Sequence, residues 1–243
     1  MSESLVIIPT YNEIENISAI INAVMQLSLP FDVLIIDDNS PDGTASAVKE
    51  KQIQYPERVF LEERKCKMGL GTAYIHGFKW GLQRNYRYIL EMDADFSHNP
   101  EDLPRLVNAC KDEGADMAIG SRYISGVNVV NWPLGRVLMS YFASTYVKLI
   151  TGMKINDTTA GFVCYTRKVL EALNLDKIQF KGYAFQIEMK FKAFKRKFKV
   201  VEIPIIFINR RLGTSKMNSG IFGEAMLGVI KLKWQSLFNK DWI

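Results

Sequence analysis

Three cysteines in 243 residues, Cys66, Cys110 and Cys164, are odd in number and far apart. They exclude a disulfide framework, and without a Cys-x-x-Cys or His/Cys ligand spacing they exclude a zinc site. A reducing, cytoplasmic setting is expected. No uncharged apolar run approaches the roughly 18 residues needed to span a bilayer; the longest candidate, residues 137–147, is shorter and contains Ser, Tyr and Thr. The start of the chain lacks the basic region and apolar core of a signal peptide. There is no Gly-x-x-x-x-Gly-Lys-Ser/Thr, no Gly-x-Gly-x-x-Gly after the first apolar run and no Gly-x-Ser-x-Gly, which argues against a P-loop NTPase, a dinucleotide dehydrogenase and a serine hydrolase. The only two histidines, His76 and His98, do not make a metal pair. His76 reads as structural on a helix; His98 reads as either a neighbour of a metal site or a helix-entry residue.

What is present is ordinary in amount and specific in arrangement. Apolar residues make up 48% and charged residues 23%, as in a globular protein with a good core. Net charge is +5, and residues 190–199 (Lys-Phe-Lys-Ala-Phe-Lys-Arg-Lys-Phe-Lys) hold much of the excess, which predicts an anionic partner. Apolar runs at 5–9, 31–36, 58–61, 86–92 and 116–120 alternate with segments of helical spacing, such as Ile14, Ile17, Ile20, Ile21 and Val24. Thr10 or Asn12 is positioned to cap that first helix. The alternation predicts an α/β fold with a mostly parallel sheet and helices on both faces. After Gly120 the pattern changes: helices are expected at 133–149, from 182 and at 221–238, with a strand-like stretch at 197–208 broken by Pro204. We read one domain over 1–243, with a ligand-binding half at 1–120, an extension at 121–218 and an amphipathic C-terminal segment at 219–243.

Ligands of such sheets sit outside the carboxyl ends of the strands. Four polar clusters fall at such ends: residues 10–13, 37–42, 65–71 and 93–98. Asp93-Ala-Asp95 is the most telling. Two like charges at a strand end repel, and neither is buried alone without cost. They become sensible around a divalent cation that also takes phosphate oxygens. Asp-x-Asp alone is a weak signal, with a solvated turn as the plain alternative. Four clusters converging on one edge are harder to dismiss. For a nucleotide across this edge, Asp38 would accept from base or ribose. Pro9, Tyr11 and Glu13 would offer a stacking ring, a backbone edge and a carboxylate. Arg210 and Lys216, on a Gly-Thr-Ser loop, would fold over the phosphates.

Ile8-Pro-Thr-Tyr-Asn-Glu13, Ile36-Asp-Asp-Asn-Ser-Pro-Asp-Gly-Thr44, Gly69-Leu-Gly-Thr-Ala73, Met92-Asp-Ala-Asp-Phe-Ser-His98 and Gly120-Ser-Arg-Tyr123 together resemble family 2 glycosyltransferases, and within them the dolichyl-phosphate (polyprenyl-phosphate) mannosyltransferases. Gly182-Tyr-Ala-Phe-Gln-Ile-Glu188 and Phe207-x-x-Arg210-x-x-Gly-x-Ser-Lys216 extend the resemblance through the second half. It implies a GT-A fold and an inverting transfer of mannose from GDP-mannose to a polyprenyl phosphate, with Mg2+ or Mn2+ as cofactor. By the resemblance Pro9, Tyr11, Glu13, Ile36, Asp38, Asp93, Ala94, Asp95, Arg210 and Lys216 bind the donor. Asp93, Asp95 and Ser97 lie at the metal, and Arg122, Arg136 and Ser140 bind the acceptor phosphate. Asp95, Arg122 and Arg136 are the expected catalytic residues. Thr159-Ala-Gly-Phe-Val163 departs from the family, which often has Arg after Gly-Phe. Many relatives carry C-terminal transmembrane helices, so this chain resembles the short form, which relies on a membrane-anchoring subunit or attaches peripherally at the cytoplasmic face.

A phosphate acceptor suits these residues. A sugar hydroxyl needs a base to remove its proton. A lipid monophosphate is already ionised near neutral pH, its second pKa being about 6, and needs cations instead. Arginine suits that work, and Arg136 and Ser140 are one helical turn apart. Residues 137–150 and 221–242, with Phe222, Trp234 and Trp242, are suited to a membrane interface, the alternative being packing on the core. Gln186 and Glu188 shape either a ligand pocket or a helix surface. The nearest rival donor is a UDP-sugar such as UDP-glucose. A nucleic-acid-binding protein would use residues 190–199, bind with steep salt dependence and ignore loss of Asp95. An inactive scaffold would show no transfer at all.

Overall fold

Residues 5–8 are apolar on both sides of the strand they form, as a strand covered on both faces requires. In the computed structural model, which describes residues 2–182, 184–209 and 220–238 (side chains of 220–225 excepted), Leu5 and Ile7 join one core and Val6 and Ile8 the other. That is the period-two alternation of a strand. The strand, β1 (Ser4–Thr10), is followed by α1 (Ile14–Met25), β2 (Asp32–Asp37), α2 (Thr44–Gln54), β3 (Val59–Glu63), α3 (Leu70–Leu82), β4 (Tyr88–Glu91), α4 (Leu103–Lys111) and β5 (Met117–Ser121). The second half holds β6 (Val129–Val130), α5 (Leu134–Thr151), β7 (Val163–Thr166), α6 (Arg167–Ala172), α7 (Ala184–Lys195), β8 (Val200–Pro204), β9 (Phe207–Ile208) and α8 (Gly220–Phe238).

Among the described residues the main sheet runs β3-β2-β1-β4-β7-β5-β8, with β6 and β9 forming a small separate pair. All neighbours in the main sheet are parallel except β7, which runs antiparallel to both β4 and β5. The expected alternation is therefore observed, with one reversed strand inserted from the second half. The chain steps outward from β1 through β2 to β3, then returns to the other side of β1 with β4. That reversal opens a crevice beyond the carboxyl ends of β1 and β4, where α/β sheets bind ligands. Residues 10–13 and 93–98 emerge into it.

Helices α1 and α4 cover one face, and α3, α7 and α8 contribute to the core on the other. Gly77 lets α3 approach β1: a Cβ there would lie 2.7 Å from Ile7 Cγ2. Gly77→Ala is expected to destabilise the fold by about 1–2 kcal/mol, the overpacking cost less the better helix propensity of alanine. Urea unfolding measures this, and an unchanged midpoint would contradict the tight contact.

Two expectations need correction. Neither Thr10 nor Asn12 caps α1. The Thr10 hydroxyl donates to Asp37 (2.8 Å), and the first helical N–H, of Ile14, is taken by Asp42 from the next loop (3.1 Å). The basic run 190–199 does not present all its charge outward. Lys190 and Lys192 are buried on α7; Lys190 Nζ donates to the Ala160 carbonyl (2.6 Å) and the Gln186 side chain (3.2 Å), and Lys192 pairs with Glu188 (3.4 Å). Their long stems fill core space while internal oxygens satisfy the ammonium groups.

Helix α5 is sparsely buried. Ser144, Val147 and Thr151 are its inward residues, while Leu134 and Phe142 are 72% and 63% exposed. It packs beside α8, Tyr146 Oη donating to the Met226 carbonyl (3.0 Å). There Leu227, Trp234, Leu237 and Phe238 are also exposed. The two helices carry an apolar surface, yet no helix among the described residues is long and apolar enough to cross a membrane.

Candidate active site

The loops at the carboxyl edge are tied to one another by hydrogen bonds. Asp38 N donates to Thr10 O (3.0 Å) and Arg64 N to Asp37 O (2.8 Å). Asn12 N donates to Ser40 Oγ (3.0 Å), and Glu13 N to Thr44 Oγ1 (3.0 Å). Tyr11 has the Lys67 ammonium 4.8 Å from its ring centroid. Of the residues expected to bind a donor, Ile36 and Ala94 are buried among core side chains, so only their backbone is available to a ligand. Asp38 is buried and bonded to Arg64, Nε to Oδ1 at 2.5 Å. Burial raises its carboxyl above the ordinary value although Arg64 opposes the rise. Arg64, which also reaches Thr72 (2.8 Å), was not singled out from the sequence. It sits in a run of charges that reads as solvated surface.

At the end of β4 the chain turns through Asp93, Ala94 and Asp95. Asp95 Oδ1 accepts from Ser97 N (3.0 Å), which fixes its rotamer, and Asp93 N donates to His98 Nδ1 (3.3 Å). Ser97 Oγ is buried without a hydrogen-bond partner among the described residues. Two carboxylates and an unsatisfied hydroxyl form an all-oxygen donor set, which suits a hard divalent cation. No group of three or more His, Cys, Asp or Glu side chains suited to a metal occurs among the described residues. Two carboxylates and one hydroxyl would leave positions for phosphate and water, as magnesium-type sites do. Burial holds His98 down at about 4, against the opposing pull of Asp95, so the ring is neutral at physiological pH.

A cavity of about 430 Å³ begins at this turn. Asp93, Asp95, Ser97, His98, Arg122, Arg136 and Ser140 all border it. Along α5 its lining passes from Arg136 and Ser140 to Met139, Phe142, Tyr146 and Val147, with Met226 and Val229 opposite on α8. At a 1.5 Å rise per residue, this wall changes from cationic to apolar over roughly three turns.

The two arginines are held differently. Arg122 is buried and gripped by Asp157: Nε donates to Oδ2 and Nη2 to Oδ1, both at 2.6 Å, and the backbone N–H donates to Oδ2 (3.0 Å). Burial pushes the Asp157 carboxyl up, but Arg122 outweighs it and holds it below the ordinary value. Glu202 on β8 supports the pair from behind, accepting from Asn156 N (2.8 Å), Asp157 N (2.9 Å) and Ser121 Oγ (2.7 Å). Arg136 lies 4.0 Å from the Trp132 ring centroid and donates to Asn209 Oδ1 (3.2 Å). Asp157 and Glu202 were not named as site residues from the sequence. The signal available was an Asp-Thr-Thr opening a loop between two apolar segments.

Gln186 borders the cavity with its amide fixed, Nε2 donating to Glu91 (2.6 Å) and Oε1 accepting from Lys190 (3.2 Å). Glu188, by contrast, is buried and accepts the N–H groups of Gln179 (2.8 Å) and Phe180 (3.1 Å), so it holds a loop and does not shape the pocket. His76 is bound to Glu62 (3.0 Å) on the exposed side of α3. Arg210 and Lys216 lie outside the described residues, as do Trp242 and the side chain of Phe222.

A family profile described as Glycosyl transferase family 2 matches residues 5–173. Over 226 residues the chain is 48% identical to a polyprenol monophosphomannose synthase of Mycolicibacterium smegmatis, covering 93% of this chain and 85% of the relative. It is 44% identical over 237 residues to an undecaprenyl-phosphate mannosyltransferase of Micrococcus luteus, covering 96% of each. In three dimensions it is similar to glucosyl-3-phosphoglycerate synthase from Mycobacterium tuberculosis, solved with Mn2+, UDP-glucose and glycerol 3-phosphate. There the TM-score is 0.67 and the identity 16%, over 96% of this chain and 79% of that one.

Proposed function

The chain belongs to glycosyl transferase family 2, and from that premise we propose that it transfers mannose from GDP-mannose to a polyprenyl phosphate, with inversion, giving polyprenyl-phosphate mannose and GDP. The observation that carries this reading is the cavity. Its polar part holds the Asp93–Asp95 turn and two arginines, and its wall along α5 and α8 is apolar. A ligand with an anionic head and a hydrocarbon tail matches that gradient. The names of the two relatives, at 48% and 44% identity, support the same acceptor class.

In this reading Pro9, Tyr11, Glu13 and Asp38 hold the nucleoside, and Ile36 and Ala94 contribute backbone. Arg64 keeps the Asp38 carboxylate in place for base or ribose. Asp93 and Asp95, with Ser97, hold Mg2+ or Mn2+. When bound, the cation offsets negative charge on the donor diphosphate as it leaves. Arg210 and Lys216 are assigned to the same diphosphate by the family resemblance. Arg136 and Ser140 receive the acceptor phosphate on one face of α5. Arg122, neutralised by Asp157, adds directed N–H groups more than net charge. The acceptor is already ionised, so no side chain needs to act as base. His98 fits this division, because its Nδ1 is occupied by Asp93 N–H.

The apolar surface of α5 and α8 supports work at a membrane, where a polyprenyl chain resides, and the three free cysteines support its cytoplasmic face. A membrane-anchoring subunit is a further partner to seek. Side-by-side turnover of GDP-mannose and UDP-glucose with a short-chain polyprenyl phosphate tests the donor. We expect GDP-mannose to be used with the higher kcat/KM; preference for UDP-glucose would replace the donor assignment and leave the acceptor assignment standing.

A further inference from the structure

We propose that His98 is itself a substrate-contacting residue, its Nε2–H donating a hydrogen bond to an oxygen of the acceptor phosphate. The inference rests on the polyprenyl-phosphate reading above and adds a residue to it. His98 is only 3% exposed and borders the cavity. Its ring is fixed on two sides, stacked on Phe162 (centroids 4.8 Å apart, planes at 9°) and edge-on to Phe207 (5.3 Å, 80°). The Asp93 backbone N–H points at Nδ1 from 3.3 Å. A backbone N–H only donates, so Nδ1 must present its lone pair, which places the ring's N–H on Nε2.

The ring is therefore a donor with one available N–H, and Nε2 has no hydrogen-bond partner among the described residues. That N–H keeps access to the cavity, where an incoming acceptor oxygen can reach it. Asp95 and Arg122 border the same cavity as His98. An oxygen that meets both the arginine and the imidazole N–H while facing the carboxylate turn belongs to an anion brought up to the donor sugar. The acceptor phosphate has that position in the proposed reaction. Because the two aromatic contacts set the ring before substrate arrives, the donor needs no reorganisation on binding.

His98→Asn separates the two ends of the ring. The Asn carbonyl still accepts from Asp93 N–H, but no atom reaches the Nε2 position. His98→Gln extends an N–H donor toward that position. We expect His98→Asn to raise KM for a short-chain polyprenyl phosphate by about tenfold, the scale of one hydrogen bond to a charged group. KM for the donor should stay within about twofold, and His98→Gln should recover part of the loss. A structural role alone would not divide the two KM values in this way. Independently of any position-98 variant, nitrogen NMR of the wild-type protein should show the Nε2–H tautomer of His98 and a shift of that resonance as the acceptor is titrated. His76 is the only other histidine, so a His76→Gln variant assigns the signals. An unchanged acceptor KM in a folded His98→Asn protein, a rise confined to the donor KM, or an Nε2 resonance indifferent to saturating acceptor would overturn the inference while leaving transfer to the lipid phosphate intact. Absence of transfer by the wild-type protein to any polyprenyl phosphate would overturn that underlying reading, and this inference with it.

Discussion

Asp95→Ala is expected to lower hexosyl transfer by about three orders of magnitude while the chain stays folded. The expected size follows from the proposed role of Asp93 and Asp95, which would hold a cation against the leaving diphosphate, and lies at the upper end of what one electrostatic contact contributes. The fold tolerates the change because Asp95 is bonded locally, its Oδ1 accepting Ser97 N in a two-residue turn. Losing that bond costs about 1 kcal/mol. Initial rates at saturating donor and acceptor, with circular dichroism of the variant, check both halves. A folded variant that retains a tenth or more of the activity would remove Asp95 from the reaction.

Asp157→Ala is expected to act in the opposite order, on stability first. It leaves the Arg122 guanidinium buried without its counter-charge, and breaking a buried pair from one side costs about 3–5 kcal/mol. Asp157→Asn should be milder, since its amide oxygen still accepts one N–H from Arg122. The same pair predicts an acid limb of stability. The folded carboxyl lies below its ordinary value of 3.8, so the unfolded chain binds the proton more readily. The stabilisation is fully present above the ordinary range and is lost as pH falls through the depressed folded value. Urea unfolding at pH 7 and at about pH 3 measures both effects. If the difference between wild type and Asp157→Asn does not shrink on acidification, the ion pair is not the source of the stability.

The strand-helix alternation of the first 120 residues was legible because buried parallel strands are continuous apolar runs and their loops carry turn residues. With that order known, placing residues 10–13, 37–42, 65–71 and 93–98 on one edge required no tertiary information. The second half was less legible for reasons of distance. Nothing in the four residues of β7 says that they run antiparallel between β4 and β5, because direction is set by partners more than 40 residues away in sequence. Arg122 reads as a free cation until Asp157 is found beside it. Lys190 and Lys192 read as surface charge because a buried ammonium is justified only by the carbonyls around it, and those come from other segments. His98 reads two ways in the sequence for the same reason: the Asp93 N–H that fixes its tautomer is local, but Phe162 and Phe207, which fix its ring, are not.

The lipid product tests mannosyl transfer to a polyprenyl phosphate most directly. The protein is incubated with GDP-mannose, divalent cation and a short-chain polyprenyl phosphate, and the lipid fraction is analysed by mass spectrometry. A species heavier than the acceptor by one anhydrohexose, joined through the phosphate, is expected, with GDP formed in equal amount. Finding no hexose on the lipid with any nucleotide sugar, or finding it on polyprenol lacking phosphate, would contradict it.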